Sequence, residues 1–244
     1  MVIPVDVYST AYAFQEQELK NKNVVVIDVL RAGSTIVTAL YHGARGIIPV
    51  ADMGEATKIA QNLDSSGYLL CGERNGYKID GYHLGNSPLE YQNDNIFNKT
   101  LILNTTNGTR SIARSHLAHS VYIGTFLNLN RIIEELKNSE REVMLICAGS
   151  NNRLSLEDLL CAGAIINGLS QGSLPNDATD GAQIAFSLYE KFSKDIETVI
   201  RRSNNGEWLS ENFGEEQVAY CCNLNSIPVL PVWKQKMITL HHDS

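Results

Sequence analysis

Short apolar runs and helix-period segments take turns along most of this sequence. VVVIDVL (24–30), GIIPV (46–50), YLLCGE (68–73), TLILN (100–104), SVYIG (120–124) and EVMLICAG (142–149) read as strands. STIVTALYHGA (34–44), GEATKIAQNL (54–63), a segment from about Asn107, LNLNRIIEELKN (127–138) and SLEDLLCAGAIINGL (155–169) carry helical spacing. Apolar runs bounded by turns, with amphipathic segments between them, predict an α/β fold. The expected form is three layers, α/β/α, with a largely parallel or mixed sheet. A further helix is expected near 181–202, and the prolines of SIPVLPVW (226–233) suit an edge position or a non-strand crossing. The chain reads as a single domain over 1–244, with QGSLPNDATD (171–180) as the one linker-like passage where it would subdivide.

Composition narrows the function classes. A formal charge of -7, with 20 Lys+Arg and no basic block, argues against a nucleic-acid or anionic-membrane partner. A small anion remains open, because a few arginines inside a cleft reverse the field locally. No apolar segment approaches the roughly 20 residues of a membrane span, and MVIPVDVYST lacks the pattern of a signal peptide, so a cytoplasmic location is expected. Cys71, Cys147, Cys161, Cys221 and Cys222 fit that location: an odd set, mostly inside apolar runs, without a CxxC pair.

Ligands of open α/β sheets collect at the carboxyl ends of strands, and the chemically rich stretches of this chain follow the expected strands. Asp28 is a carboxylate within an apolar run, so it needs a partner, either Arg31 or a cation. Arg31 offers a planar fork suited to phosphate or carboxylate. Gly33, Ser34 and Thr35 read as a helix N-terminus able to seat an anion, although a structural Asp–Arg pair with a serine cap uses the same residues. The loop CGERNGYKIDGYHLGNSPLEY (71–91) opens with Glu73 and Arg74, candidates for a metal ligand and an anion clamp, and closes with Ser87 capping Pro88. His83 reads as a packing or hydrogen-bonding residue.

Thr105, Thr106, Asn107, Gly108 and Thr109 can present hydroxyls and backbone N–H groups to one centre, with Gly108 allowing close approach. The stretch lacks the P-loop pattern, and a capped turn would use similar residues. Ser155 with Asp158 reads as a capping box variant, which leaves Glu157 as the acid of interest. Cys161-Ala162-Gly163-Ala164 suits close helix packing. Cys147, at a strand end, has the placement of a nucleophile but lacks the HC-x5-R pattern of cysteine phosphatases.

Taken in order, these blocks resemble the 2-phosphosulfolactate phosphatase (ComB-like) family from Val24 to about Leu169, and weakly beyond. The carrying residues are Asp28-Val29-Leu30-Arg31-Ala32 with Ser34-Thr35, Gly72-Glu73-Arg74, Gly85-Asn86-Ser87-Pro88, Asn104 to Thr109, and Glu157-Asp158 with Cys161 to Ala164. The resemblance implies a magnesium-dependent phosphatase, usually a homodimer, acting on the phosphate ester of a short sulfonated hydroxy acid. In methanogens its product, sulfolactate, leads toward coenzyme M. The chemistry fits the residues independently: magnesium prefers few protein carboxylates plus waters and substrate oxygens, and Asp28, Glu73 and Glu157 are the candidate ligands. Arg31, Arg74, Asn86, Ser87 and the turn through Thr109 then hold phosphate and sulfonate. One departure is His83, where the family more often carries an acid. A covalent role for Asp28 lacks the D-x-D pairing of aspartyl-phosphate enzymes, since residue 30 is Leu. A non-catalytic binding protein for an anionic metabolite and a broader small-phosphoester phosphatase are the alternatives.

Overall fold

Every residue of β2 (Asn23–Ile27), β6 (Thr100–Asn104) and β8 (Val143–Cys147) is buried. Strands sealed on both faces need cover on both sides, and that requirement organises the chain. In the computed structural model, which describes residues 3–241, β1 (Val5–Tyr8), β8, β2 and β7 (Ser120–Gly124) run parallel as one half of a sheet. A second parallel half comprises β3 (Gly46–Val50), β6 and β4 (Tyr68–Arg74), with β5 (Tyr77–Lys78) antiparallel on its edge. The hairpin of β9 (Pro231–Lys234) and β10 (Met237–Leu240) sits between the halves, antiparallel to β7 on one side and to β3 on the other. The order is β1-β8-β2-β7-β9-β10-β3-β6-β4-β5, so the α/β expectation holds with a mixed sheet.

Followed through those pairings, the second half runs opposite to the first. Its carboxyl ends nevertheless meet those of the first half. Five strand steps separate β2 from β6, and a twist of roughly 20–25° per step turns the sheet through roughly 100–125°. The two halves then wrap a shared core: Val24 and Val26 of β2, Ile47 of β3 and Leu101 and Leu103 of β6 belong to one apolar cluster. Helices α1 (Ala32–Tyr41) and α3 (Gly108–Arg114) lie inside that fold, contributing Ile36, Leu40 and Ile112.

The outer face of the second half is covered by α2 (Met53–Ala60). The far face of the first half is covered by α4 (Leu129–Ser139), α5 (Leu156–Ser170), α6 (Asp180–Phe192), α7 (Ile196–Arg201), α8 (Asn204–Phe213) and α9 (Glu216–Cys221). The small-residue face of α5 does pack closely, since a Cβ on Gly163 would stand 2.0 Å from the Ala185 carbonyl oxygen of α6.

Two expectations are corrected. The helix near 181–202 is two helices, interrupted at 193–195. The segment SIPVLPVW yields β9, an interior strand rather than an edge; Pro231 is tolerated because it is the first residue of that strand. Among the described residues no helix is long and apolar enough to cross a membrane.

Candidate active site

The chain leaves β2 at Asp28 and enters α1 four residues later. Asp28 Oδ1 accepts the Ala32 N–H at 3.1 Å, and its own carbonyl accepts the Gly33 N–H at 2.8 Å. The N-terminus of α1 is therefore occupied by the protein's own carboxylate. Ser34 and Thr35 are sealed behind this turn, donating their hydroxyls to the carbonyls of Val29 (2.8 Å) and Asn86 (2.9 Å). Asp158, in the first turn of α5, accepts from the Val29 N–H at 2.9 Å and the Gly149 N–H at 3.1 Å. It thereby pins the carboxyl ends of β2 and β8 together. The expected capping box does not form, because Ser155 makes no side-chain cap and its hydroxyl goes to Glu157.

A second carboxylate fills the turn after β6. Glu73 Oε1 accepts from the backbone N–H (2.7 Å) and hydroxyl (2.8 Å) of Thr106, and Oε2 accepts the Gly76 N–H at 2.7 Å. Thr105 and Thr109 are buried and bond to each other. The close approach that Gly108 permits is to Asp28: a Cβ at 108 would stand 2.6 Å from Asp28 Oδ2. Asn107, the α3 N-cap, makes no side-chain cap bond.

Glu157 completes the acidic floor. Its Oε1 accepts from Ser155 Oγ (2.5 Å) and Asn205 Nδ2 (2.7 Å), while Oε2 is buried without a partner. Burial above all, with Glu73 and Glu157 adding to it, pushes the Asp28 carboxyl up to about 7, against the pull of the Ala32 N–H and Arg31. Asp158 is driven up by burial and then by Asp28 and Glu157. Buried acids crowded in this way favour a bound cation.

Arg31 faces them. Its guanidinium donates to Gln217 Oε1 at 2.9 Å and to the Gly76 carbonyl at 2.6 Å, and it stands 5.0 Å from the Phe213 ring centre. Five N–H donors make up that fork, so donors remain for an anion. Arg31, Glu73, Asn86, Thr106, Asn107 and Glu157 all line one cleft of 1030 Å³.

The other sequence candidates fall elsewhere. Arg74 is exposed, and neither it nor Ser87 lines the cleft. His83 accepts the Leu70 N–H at 2.9 Å, a strand-edge bond outside the cleft. Cys147 is buried, and burial holds its thiol well above the ordinary value, which removes the nucleophile it resembled. Among the described residues no group of three His, Cys, Asp or Glu side chains forms a metal cage by itself.

Sequence reasoning missed Asn205, Gln217, Arg153, Arg202 and Trp208, which touch or line the site. Asp158 was visible but explained as a cap. The acid pair Glu157-Asp158 inside an otherwise apolar helix was the signal for it.

The family model described as 2-phosphosulpholactate phosphatase matches residues 8–236. A protein of Thermotoga petrophila named "Probable 2-phosphosulfolactate phosphatase" is 42% identical over 210 residues, covering 86% of this chain and 88% of its own. Proteins of the same name from Caldanaerobacter subterraneus subsp. tengcongensis and Clostridium novyi are each 35% identical over 237 residues; they cover 97% and 96% of this chain, and 98% and 99% of their own.

Proposed function

The chain belongs to the 2-phosphosulfolactate phosphatase family, and from that premise we propose that it hydrolyses 2-phosphosulfolactate to sulfolactate and phosphate with the help of Mg²⁺. The observation that carries the reading is the pairing, in one cleft, of the Arg31 fork with the buried carboxylates Glu73 and Glu157, behind which Asp28 and Asp158 are buried and interact with Glu157. A phosphomonoester dianion cannot approach that floor unless cations offset it.

Magnesium takes one or two protein carboxylates and fills its remaining positions with waters and substrate oxygens. Asp28 and Glu157 fit that demand, since each keeps an oxygen without a donor among the described residues. Both oxygens of Glu73 are taken, so Glu73 braces the two loops rather than offering a ligand. A magnesium ion held there would neutralise charge on the phosphoryl oxygens. Arg31 would hold the same group through its remaining donors and fix its orientation. Asn107 and Asn86 supply neutral polar groups along the wall; Asn86 Oδ1 is buried without a partner. The free, buried cysteines support a reducing, cytoplasmic setting.

The deciding experiment is phosphate release from racemic 2-phosphosulfolactate, phosphoglycolate and phospholactate, each with Mg²⁺ and with EDTA. Metal-dependent turnover that prefers the sulfonated ester is the expected result. Tight sulfolactate binding without turnover would make the protein a metabolite-binding member of the family. A flat profile across the three esters would make it a general phosphatase.

A further inference from the structure

Every cationic side chain that lines the cleft is an arginine: Arg31, Arg153 and Arg202. Arg31 is committed to Gln217 and Gly76 beside the acids. Arg153 and Arg202 are exposed, and among the described residues neither makes a salt bridge. The chain as a whole carries -7, so two uncompensated arginines at the mouth of a cleft with an acidic floor are not a general surface property.

Their backbones are fixed. Arg153 and Ser150 exchange N–H···O bonds of 2.9 Å in both directions, and the Arg153 carbonyl lies where a Cβ on Gly149 would come within 2.5 Å. Arg202 is the C-cap of α7, its N–H bonded to the Val199 carbonyl at 3.2 Å, and the next residue, Ser203, caps α8 through the Gly206 N–H at 3.1 Å. Two planar forks are thus presented from two anchored turns.

We propose that Arg153 and Arg202 form the subsite for the non-transferred anionic groups of the substrate, its sulfonate and carboxylate, and so set the enzyme's preference for polyanionic phosphate esters. The proposal rests on the phosphatase reading and goes beyond it. The phosphoryl group belongs with Arg31 and the floor, so the remaining charge of the ester needs separate receivers at the rim. Sulfonate and carboxylate are both oxyanions that a guanidinium fork binds with two parallel N–H···O bonds. A lysine would supply charge without that geometry, and none lines the cleft. Arginines at the mouth also raise the local concentration of an anion that the protein's overall charge would repel.

The test uses the full chain with Arg153→Gln, Arg202→Gln, the double variant, and Arg202→Lys. Turnover with Mg²⁺ is measured on 2-phosphosulfolactate and on phenyl phosphate, which has no second anion. Calorimetric binding of sulfolactate and of inorganic phosphate is measured in parallel. Each Gln variant is expected to lower kcat/KM on 2-phosphosulfolactate about tenfold, the double variant about a hundredfold. Phenyl phosphate turnover and phosphate binding stay within about threefold, and Arg202→Lys recovers only part of the loss. Sulfolactate binding falls in step with the sulfonated ester. Equal losses on both esters, or unchanged sulfolactate binding in the double variant, would overturn the subsite. If the wild type turned over neither ester, loss of sulfolactate binding in the double variant would still support the subsite while the phosphatase reading alone failed.

Discussion

The turns after β2 and β6 look alike in sequence and have different work to do. Each passes from a buried strand through small polar residues into a helix, and each holds a carboxylate. Glu73, held by the turn after β6, has three hydrogen bonds shared over both oxygens. Asp28, at the turn after β2, has one, at Oδ1, and no donor among the described residues reaches Oδ2. A carboxylate with both oxygens satisfied is a brace. A buried one left half satisfied among other acids is a group awaiting a counter-charge.

The sharpest way to break that distinction is Asp28→Asn. The substitution keeps the shape and removes the charge, so the fold should persist while phosphatase turnover falls by roughly 1000-fold. Steady-state kinetics within tenfold of wild type would remove Asp28 from the chemistry and erase the contrast with Glu73.

The pH dependence of stability carries the next largest effect. The Asp28 carboxyl lies at about 7 in the fold, against an ordinary value of 3.8. Between those values the folded protein keeps a proton that the unfolded chain has released. Its stabilising contribution is therefore present below the lower value and lost as pH rises through 7. In cation-free buffer the Tm should fall from pH 5 to pH 8, and fall less in the Asp28→Asn variant. Mg²⁺ should restore more at pH 8 than at pH 5. A Tm that rose over this range by the same amount in both proteins would show that Asp28 is not held in its protonated form.

A third comparison pits Glu157→Gln against Glu73→Gln. The first should raise the Mg²⁺ concentration needed for half-maximal activity about 10- to 100-fold. The second should leave that concentration within about threefold but lower stability by about 1–3 kcal/mol, since an amide cannot satisfy all three donors that meet Glu73. Interchanged outcomes would swap ligand and brace.

The strands were legible wherever an apolar run had clear ends: β3, β6 and β7 start and stop where the sequence turns polar. β2 ends at Ile27, short of the apolar stretch, because Asp28 begins the turn. The site was legible in its parts and not in its wiring. Spacing alone cannot say that the Ala32 and Thr106 N–H groups are filled by the chain's own acids, that Thr105 and Thr109 bond to each other, or that Gly108 packs against Asp28, so Thr105, Thr106 and Gly108 looked free for a ligand. The α8–α9 contribution was invisible for another reason. Asn205 reaches Glu157 across 48 positions and Gln217 reaches Arg31 across 186, and no local pattern records such pairs.

Arg31 joins the two turns, and this sets the smallest effect. It leaves the β2 turn and donates to the carbonyl of Gly76, whose N–H is bonded to Glu73. Gln217 and the Phe213 ring hold the guanidinium from the C-terminal helices, and Trp208 and Tyr77 pack with Phe213 at 5.5–5.6 Å between ring centres. Gln217→Ala removes one anchor and leaves the Gly76 bond, so the fork should remain near its place but sample wider orientations. The expected result is a KM for 2-phosphosulfolactate about tenfold higher with kcat within about threefold and little change in Tm. Phe213→Leu, which loses the cation–π contact with Arg31 and the ring contacts with Tyr77 and Trp208 but keeps an apolar side chain there, should do the same more weakly, by about 1 kcal/mol or less. A collapse of kcat at constant KM would mean that Arg31 acts on the transition state alone. No change in either variant would mean that Gly76 suffices to aim it, and that the two turns need no help from the C-terminal helices.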